Sequence, residues 1–169
     1  PQGVWQHWWS GELHEGEESF EISSPLGQPP VWVKQGVPLP LLRPSIESYQ
    51  STTIPSQVDS FVDQPNPLHV RVSSGPKSER TLYDGTWLQQ EPTGSDMVVA
   101  WMAGSVFTDG IVFEVWGIAT PPSTITLEDG TSIPPLNENG DEGWSYEEGI
   151  LTLSLQGSGH TVVISKVIP

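Results

Sequence analysis

The stretch W-Q-H-W-W-S-G-E at residues 5–12, followed by P-L-G-Q-P-P-V-W-V-K-Q-G-V-P-L-P at residues 25–40, decides how this chain is read. Alternate side chains of an extended strand face opposite sides, so Trp5, Trp8 and Trp9 cannot all point one way. At least two apolar surfaces must therefore be covered. Pro1 and Gly3 stand directly before the cluster, and the chain reads as starting in the middle of something larger. Gly11, just after Trp9-Ser10, is expected in a positive-φ turn.

Outward from this block the composition is that of a β protein. The 169 residues include 17 glycines and 17 prolines, and helix-forming Ala, Lys and Arg are scarce. Such a chain favours short strands and turns. Twenty-one acidic residues against six basic ones give a formal charge of −15. The electrostatic footprint of a nucleic-acid binder is missing, whereas neutral sugars would not be repelled. Without cysteine there is no disulfide or thiol chemistry. No run of 18 apolar residues suggests a membrane span.

Period-two patterning recurs along the chain. Strands are expected at 20–22, 31–33 and 37–42, then at 68–72, 80–83, 86–88, 97–102, 111–116, 124–127, 150–155 and 161–164. Asp84-Gly85 is a hairpin signal, and Asp109-Gly110 marks a second turn. The near-continuous apolar runs at 97–102 and 111–116 read as central strands covered on both faces, with Trp101 and Trp116 in the core. Residues 43–66 are rich in Ser, Thr, Gln and Pro, which suits an extended connector with room for a short helix at 45–50. The expected organisation is a proximal β-piece over 1–63 with its linker at about 43–66, then a distal β-sandwich over 67–169. The fold class is all-β, two consecutive antiparallel β-sandwich domains of which the first is incomplete at its N-terminus. That first piece is too small to bury both of its faces alone.

The opening block resembles the C-terminal β-region that follows the catalytic barrel in glycoside hydrolase family 31, the α-glucosidase and α-xylosidase family. Pro1, Gly3, Trp5, Trp9, Ser10, Gly11 and Glu12 match a segment of the form L-P-x-G-x-W-Y-D-x-W-T-G-E, with Gly16 in the following turn. Pro25, Leu26, Pro30, Val31, Val33, Gly36 and Pro40 match P-L-x-x-I-P-V-F-V-R-x-G-x-I-x-P. The match at Ser10 is conservative, Ser for the usual Thr, while Trp32 stands for Phe, Lys34 for the common Arg, and Pro38 where a β-branched residue is usual. The resemblance implies an accessory portion, a fragment or a processed subunit, of a retaining α-glycosidase that is most similar to an α-glucosidase. It further implies a catalytic (α/β)8 barrel as partner and an α-linked oligosaccharide as substrate of the whole enzyme, with no nucleic acid, membrane or cofactor, and a lean towards a secreted or organellar setting. The family's barrel aspartates have no counterpart here: the one Asp-Met pair, Asp96-Met97, has flanks that do not fit. No catalytic or metal-binding residue is carried over.

Within that frame Trp5, Trp8, Trp9 and Trp32 read as the barrel interface. Trp87 and Trp144, beside turns, are the candidates for an exposed sugar-stacking platform, and with them the alternative of a free-standing carbohydrate-binding module stays open. His7 and His14 lack metal-ligand spacing, and His7 reads as hydrogen-bonded at a packed interface. Asn137, Asn139, Asp141 and Glu148 fall at calcium-loop positions, but Glu142 stands where the loop needs glycine, so an acidic hairpin is the expectation. Neighbouring Glu147 and Glu148 would point apart on a strand and do not form a hydrolytic pair.

Overall fold

The computed structural model describes residues 1–136 and 142–166. Among the described residues the secondary structure is all β, arranged as one three-stranded and two five-stranded sheets. Asn137, Asn139 and Asp141 of the expected acidic hairpin lie outside the described residues.

The small sheet comes from the opening block. Its central strand β1 (Val4–His7) pairs antiparallel with β2 (Leu13–Glu15) on one side and β3 (Trp32–Lys34) on the other. Gly11 closes the β1–β2 turn at φ +72°, and its N–H donates to the His7 carbonyl. Residues 20–22 do not form the expected strand. Phe20 instead folds its ring onto His14 and Trp32, so this segment contributes a side chain rather than a ladder.

The larger unit is a sandwich. One sheet contains β4 (Leu39–Leu41), β5 (Leu68–Ser73), β9 (Ile111–Trp116), β11 (Gly143–Glu147) and β12 (Ile150–Leu155), in the order β11-β12-β9-β5-β4. The facing sheet contains β6 (Ser78–Thr81), β7 (Trp87–Thr93), β8 (Asp96–Met102), β10 (Thr124–Leu127) and β13 (Gly159–Ser165), in the order β10-β13-β8-β7-β6. Inward side chains alternate along each strand, as a half-buried sheet requires. Val70, Phe113, Val115, Leu151 and Leu153 from the first sheet meet Leu88, Met97, Val99, Trp101, Val162 and Ile164 from the second.

Three details differ from expectation. The β5–β9 pair is parallel in an otherwise antiparallel sheet, because β6, β7 and β8 all lie in the facing sheet before the chain returns beside β5. Strand β9 is covered from the core on one face only: Ile111, Phe113 and Val115 are buried, while Val112, Glu114 and Trp116 are half-buried on the outer face. Trp101 is in the core as expected, and Trp116 is not. Residues 45–50 form turns instead of a helix. Ser45 bonds the Asp59 carboxylate, Arg43 closes an ion pair with Asp59 at 2.7 Å, and the Glu47 and Ser48 N–H groups donate to the Asp59 carbonyl beside a backbone bridge between Ser48 and Ser60, so pairing with a stretch distant in sequence takes the place of a helical ladder.

The stretch that reads as proximal also supplies β4, which pairs with β5 at the edge of the sandwich. The two units meet tightly just before that strand. A Cβ on Gly75 would lie 2.5 Å from the Gly36 nitrogen, and one on Gly36 would lie 2.5 Å from the Pro76 carbonyl oxygen. Only glycines permit that approach.

Candidate functional site

Register divides the small sheet into two faces with different fates. Gln6 pairs with Leu13 and Val33, placing these on one face; Trp5 pairs with His14 and Lys34, and His7 with Trp32, placing those on the other.

The Gln6 face turns towards the sandwich. Gln6, Trp8 and Val33 close there against Arg71, Ser73 and Trp116. The Arg71 guanidinium carbon sits 3.8 Å from the ring centroids of both Trp8 and Trp116. Its Nε and Nη2 donate to Oε2 of Glu114 at 2.8 and 2.6 Å. Burial lowers the pKa of Arg71 from the ordinary guanidinium value, and the hydrogen bond and charge of Glu114 oppose that shift. Cation–π contact with two rings plus a carboxylate partner is a strong local clamp. Trp8 thus finds its wall inside the chain, and Trp116, expected in the core, is the other half of that wall.

The opposite face carries rings that the sandwich does not cover. Trp32 lies 4.8 Å from His7, 4.8 Å from His14 and 5.2 Å from Phe20, and His14 stacks on Phe20 at 4.1 Å. His7 is buried and its Nδ1 is 2.8 Å from the Ser10 hydroxyl, the packed and hydrogen-bonded role expected of it. Trp5 donates its indole N–H to the Pro1 carbonyl at 3.1 Å. Between Trp5, Trp32, His14 and Phe20 opens a pocket of about 250 Å³, with Glu15, Glu17 and Glu18 in its lining. Trp9 is 44% exposed, and its N–H donates to the Pro29 carbonyl at 2.7 Å.

Of the two sugar-stacking candidates, Trp144 is corrected. It pairs with fully buried Leu153, so its side chain takes the core-facing side; it packs against the hydrophobic core and donates its N–H to the Ile133 carbonyl at 3.0 Å. Trp87 lies on the outer face of its sheet opposite Met102, which is 59% exposed. The rings of Trp87 and Trp144 are therefore not one platform.

Sequence reasoning missed His14, Phe20 and Arg71. The two rings reach the Trp32 pocket only through the register of β1 with β2 and the fold-back after β2, neither of which has a local signature. Arg71 was visible as the polar member of an alternating strand, but its position between two tryptophans depends on the parallel β5–β9 pairing. Among the described residues no group of three or more His, Cys, Asp or Glu converges in a way that could hold a metal ion.

No family model matches this chain, and no curated protein matches it in sequence. Its fold does have counterparts among solved structures. The cycloalternan-forming enzyme from Listeria monocytogenes, in complex with its pentasaccharide substrate, is similar with a TM-score of 0.76 at 18% identity, over 98% of this chain and 16% of that one. A glycoside hydrolase family 31 dextranase from Flavobacterium johnsoniae, complexed with glucose, is similar with a TM-score of 0.70 at 12% identity, over 98% of this chain and 23% of that one. The whole of the present fold is thus found within a part of much larger glycosidase chains, and it spans less than a quarter of their length.

Proposed function

We propose that this chain is the C-terminal β-region of a retaining α-glycosidase of glycoside hydrolase family 31, α-glucosidase-like in specificity, and that it supports a catalytic (α/β)8 barrel on α-linked oligosaccharides. The observation that carries this reading is the match of 98% of the chain to only 16–23% of glycosidase chains. The order and spacing of Trp, Gly and Pro over residues 1–40 point the same way. On this reading residues 1–63 form the proximal unit with its linker and 67–169 the distal unit, with β4 of the proximal stretch lent to the edge of the distal sandwich, and the face bearing Trp5 and Trp32, with Trp9 at its margin, packs on the barrel. Trp8 serves the assembly indirectly by clamping the proximal sheet onto the sandwich.

The chain itself supplies support and shape rather than chemistry. The aspartates that the family carries on its barrel have no counterpart in this sequence. The test is association: a catalytic barrel of this family, produced separately, should bind the chain, and Trp5→Ala with Trp32→Ala should weaken binding at least tenfold. Binding that survives both substitutions unchanged would overturn the assignment of that face.

A second reading rests on Trp87. Its outward position beside exposed Met102 suits stacking on a pyranose, as a free-standing carbohydrate-binding module would need. It predicts that α-glucan oligosaccharides perturb tryptophan fluorescence and that Trp87→Ala abolishes the effect. An unresponsive wild-type chain would remove this reading.

A further inference from the structure

We infer that the cleft between Trp9 and Trp116, where the small sheet meets the sandwich, is a binding site for a neutral hexopyranose unit of an oligosaccharide. The inference deepens the proposed function and rests on it for the kind of oligosaccharide, an α-linked glucan. The choice of a neutral sugar comes from the cleft itself.

Three turns build the cleft. The β1–β2 turn carries Trp9 and Gly11, the loop after β9 carries Gly117 next to Trp116, and the two-residue turn between β11 and β12 carries Glu148 and Gly149. The Ile118 N–H donates to the Gly149 carbonyl at 3.2 Å, which ties the second turn to the third. The enclosed space is about 330 Å³, within the range of roughly 300–1,000 Å³ usual for small-molecule sites.

The side chains around it differ in kind. Trp9 borders two recesses: one with His7 and Ile22, on the side of the barrel contact proposed above, and this cleft, on the side of the sandwich. Gln6 reaches the cleft although it is only 7% exposed. Its amide nitrogen donates to the Gly11 carbonyl at 3.3 Å, which uses one of its two hydrogens. A Cβ at Gly11 or Gly117 would stand 3.7 or 3.8 Å from that nitrogen, so the two glycines keep side chains off the amide. Glu148 adds an exposed carboxylate from φ +49°, with Gly149 at φ +83° after it. A two-residue hairpin turn with positive φ at both positions favours Asn-Gly, so glutamate is held there against backbone preference, a kind of strain that gathers at ligand sites.

These groups select among occupants. A purely apolar ligand would leave the amide and the carboxylate without partners. An anion would meet Glu148 and a formal charge of −15, and among the described residues no lysine or arginine lines the cleft. Arg71, beneath the Trp116 ring, is engaged by Trp8 and Glu114. A neutral pyranose answers both demands: its C–H face lies on an indole, and its hydroxyls, in the plane of the ring, reach the amide and donate to the carboxylate.

The experiment follows the indole N–H resonances of Trp9 and Trp116 in the 169-residue chain during titration with maltotriose and with trigalacturonate, an α-linked trisaccharide bearing carboxylates. Maltotriose should shift both signals with a Kd in the ~millimolar range, and trigalacturonate should leave them in place. Trp9→Ala should weaken the Trp116 response ~tenfold. Because that variant also loses the bond to Pro29, Glu148→Gly supplies a second readout: it should weaken maltotriose binding severalfold while the thermal midpoint stays level or rises, since glycine accepts the positive φ. Trp87→Ala should change nothing. No shift with maltotriose, an equal shift with trigalacturonate, a Glu148→Gly chain that binds as wild type or melts lower, or a response lost in Trp87→Ala would each overturn the inference. Barrel association measured in parallel keeps the two claims apart. A chain that ignores maltotriose yet binds the barrel leaves the proposed function standing without this site, whereas a chain that takes maltotriose and shows no affinity for the barrel retains the site and loses the function.

Discussion

Arg71 and Asp84 show how single residues hold this molecule. Arg71 joins the small sheet to the sandwich through two rings and one carboxylate. Removing it strands Glu114 on a half-buried face as well as losing the ring contacts. Arg71→Ala should therefore cost about 2–4 kcal/mol in thermal or denaturant unfolding, more than Trp8→Ala at about 1–3 kcal/mol. Equal stability of Arg71→Ala and wild type would show that the clamp is not what fastens the units.

Asp84 plays a comparable part inside the sandwich. Its carboxylate accepts from the Thr86 N–H and hydroxyl at 3.1 and 2.8 Å, and from the Val106 and Phe107 N–H groups at 3.1 Å each. It thereby ties the β6–β7 turn to the loop after β8. Burial pushes its pKa up, but the hydrogen bonds from Phe107, Thr86 and Val106 outweigh that and hold it below the usual 3.8. A carboxyl whose pKa is depressed by folding contributes stability above its unfolded pKa, and the contribution is lost as pH falls through the lower folded value. Asp84→Ala should lower stability by about 2–4 kcal/mol at pH 7, and the penalty should shrink below pH 3.8. A penalty independent of pH would contradict the charged role of this side chain.

At the scale of the element, the contact between residues 36 and 75 is the most demanding. An added methyl at Gly75 would press on backbone, 2.5 Å from the Gly36 nitrogen and 2.7 Å from the Gln35 carbonyl carbon. Gly75→Ala is expected to destabilise by about 2–3 kcal/mol. Gly94→Ala, at φ +64° in open space, should cost about 1 kcal/mol. Chemical denaturation of the two variants would test that order, and a reversed ranking would argue against the close approach.

Much at this scale was legible from the residues. Alternation located β5, apolar runs located β8 and β9, turn-punctuated spacing located β12 and β13, and Asp84-Gly85 located the hairpin, because these signals are local. The parallel β5–β9 pair was not legible, since nothing in either strand records that three intervening strands belong to the facing sheet. Nor was β11, whose Trp144-Ser145-Tyr146 alternation follows an acidic run that reads as loop. The short helix at 45–50 fails for a reason that is not local, since Glu47 and Ser48 donate their N–H groups to the Asp59 carbonyl and Ser45 bonds the Asp59 carboxylate, partners distant in sequence that no nearby residue records.

For the whole molecule, the opening tryptophans needed two walls, and the structure separates them. Trp8 has its wall in Arg71 and Trp116, whereas Trp5 and Trp32 face away from the sandwich with Phe20 and His14 beside them. The sequence motif could mark the block as an interface but could not divide its rings between an inner and an outer partner, because that division is set by the register of three short strands. On the proposed reading the outer rings face a catalytic domain, and the fold recurs as a minor part of much larger glycosidase chains. The most direct measurement is hydrolysis of an aryl α-glucoside, comparing the rigorously purified 169-residue chain alone with the same chain joined to a family 31 catalytic barrel. The account predicts no turnover by the chain alone and turnover by the joined protein, lost or much reduced when the chain is deleted; turnover by the chain alone, or a barrel indifferent to its deletion, would contradict it.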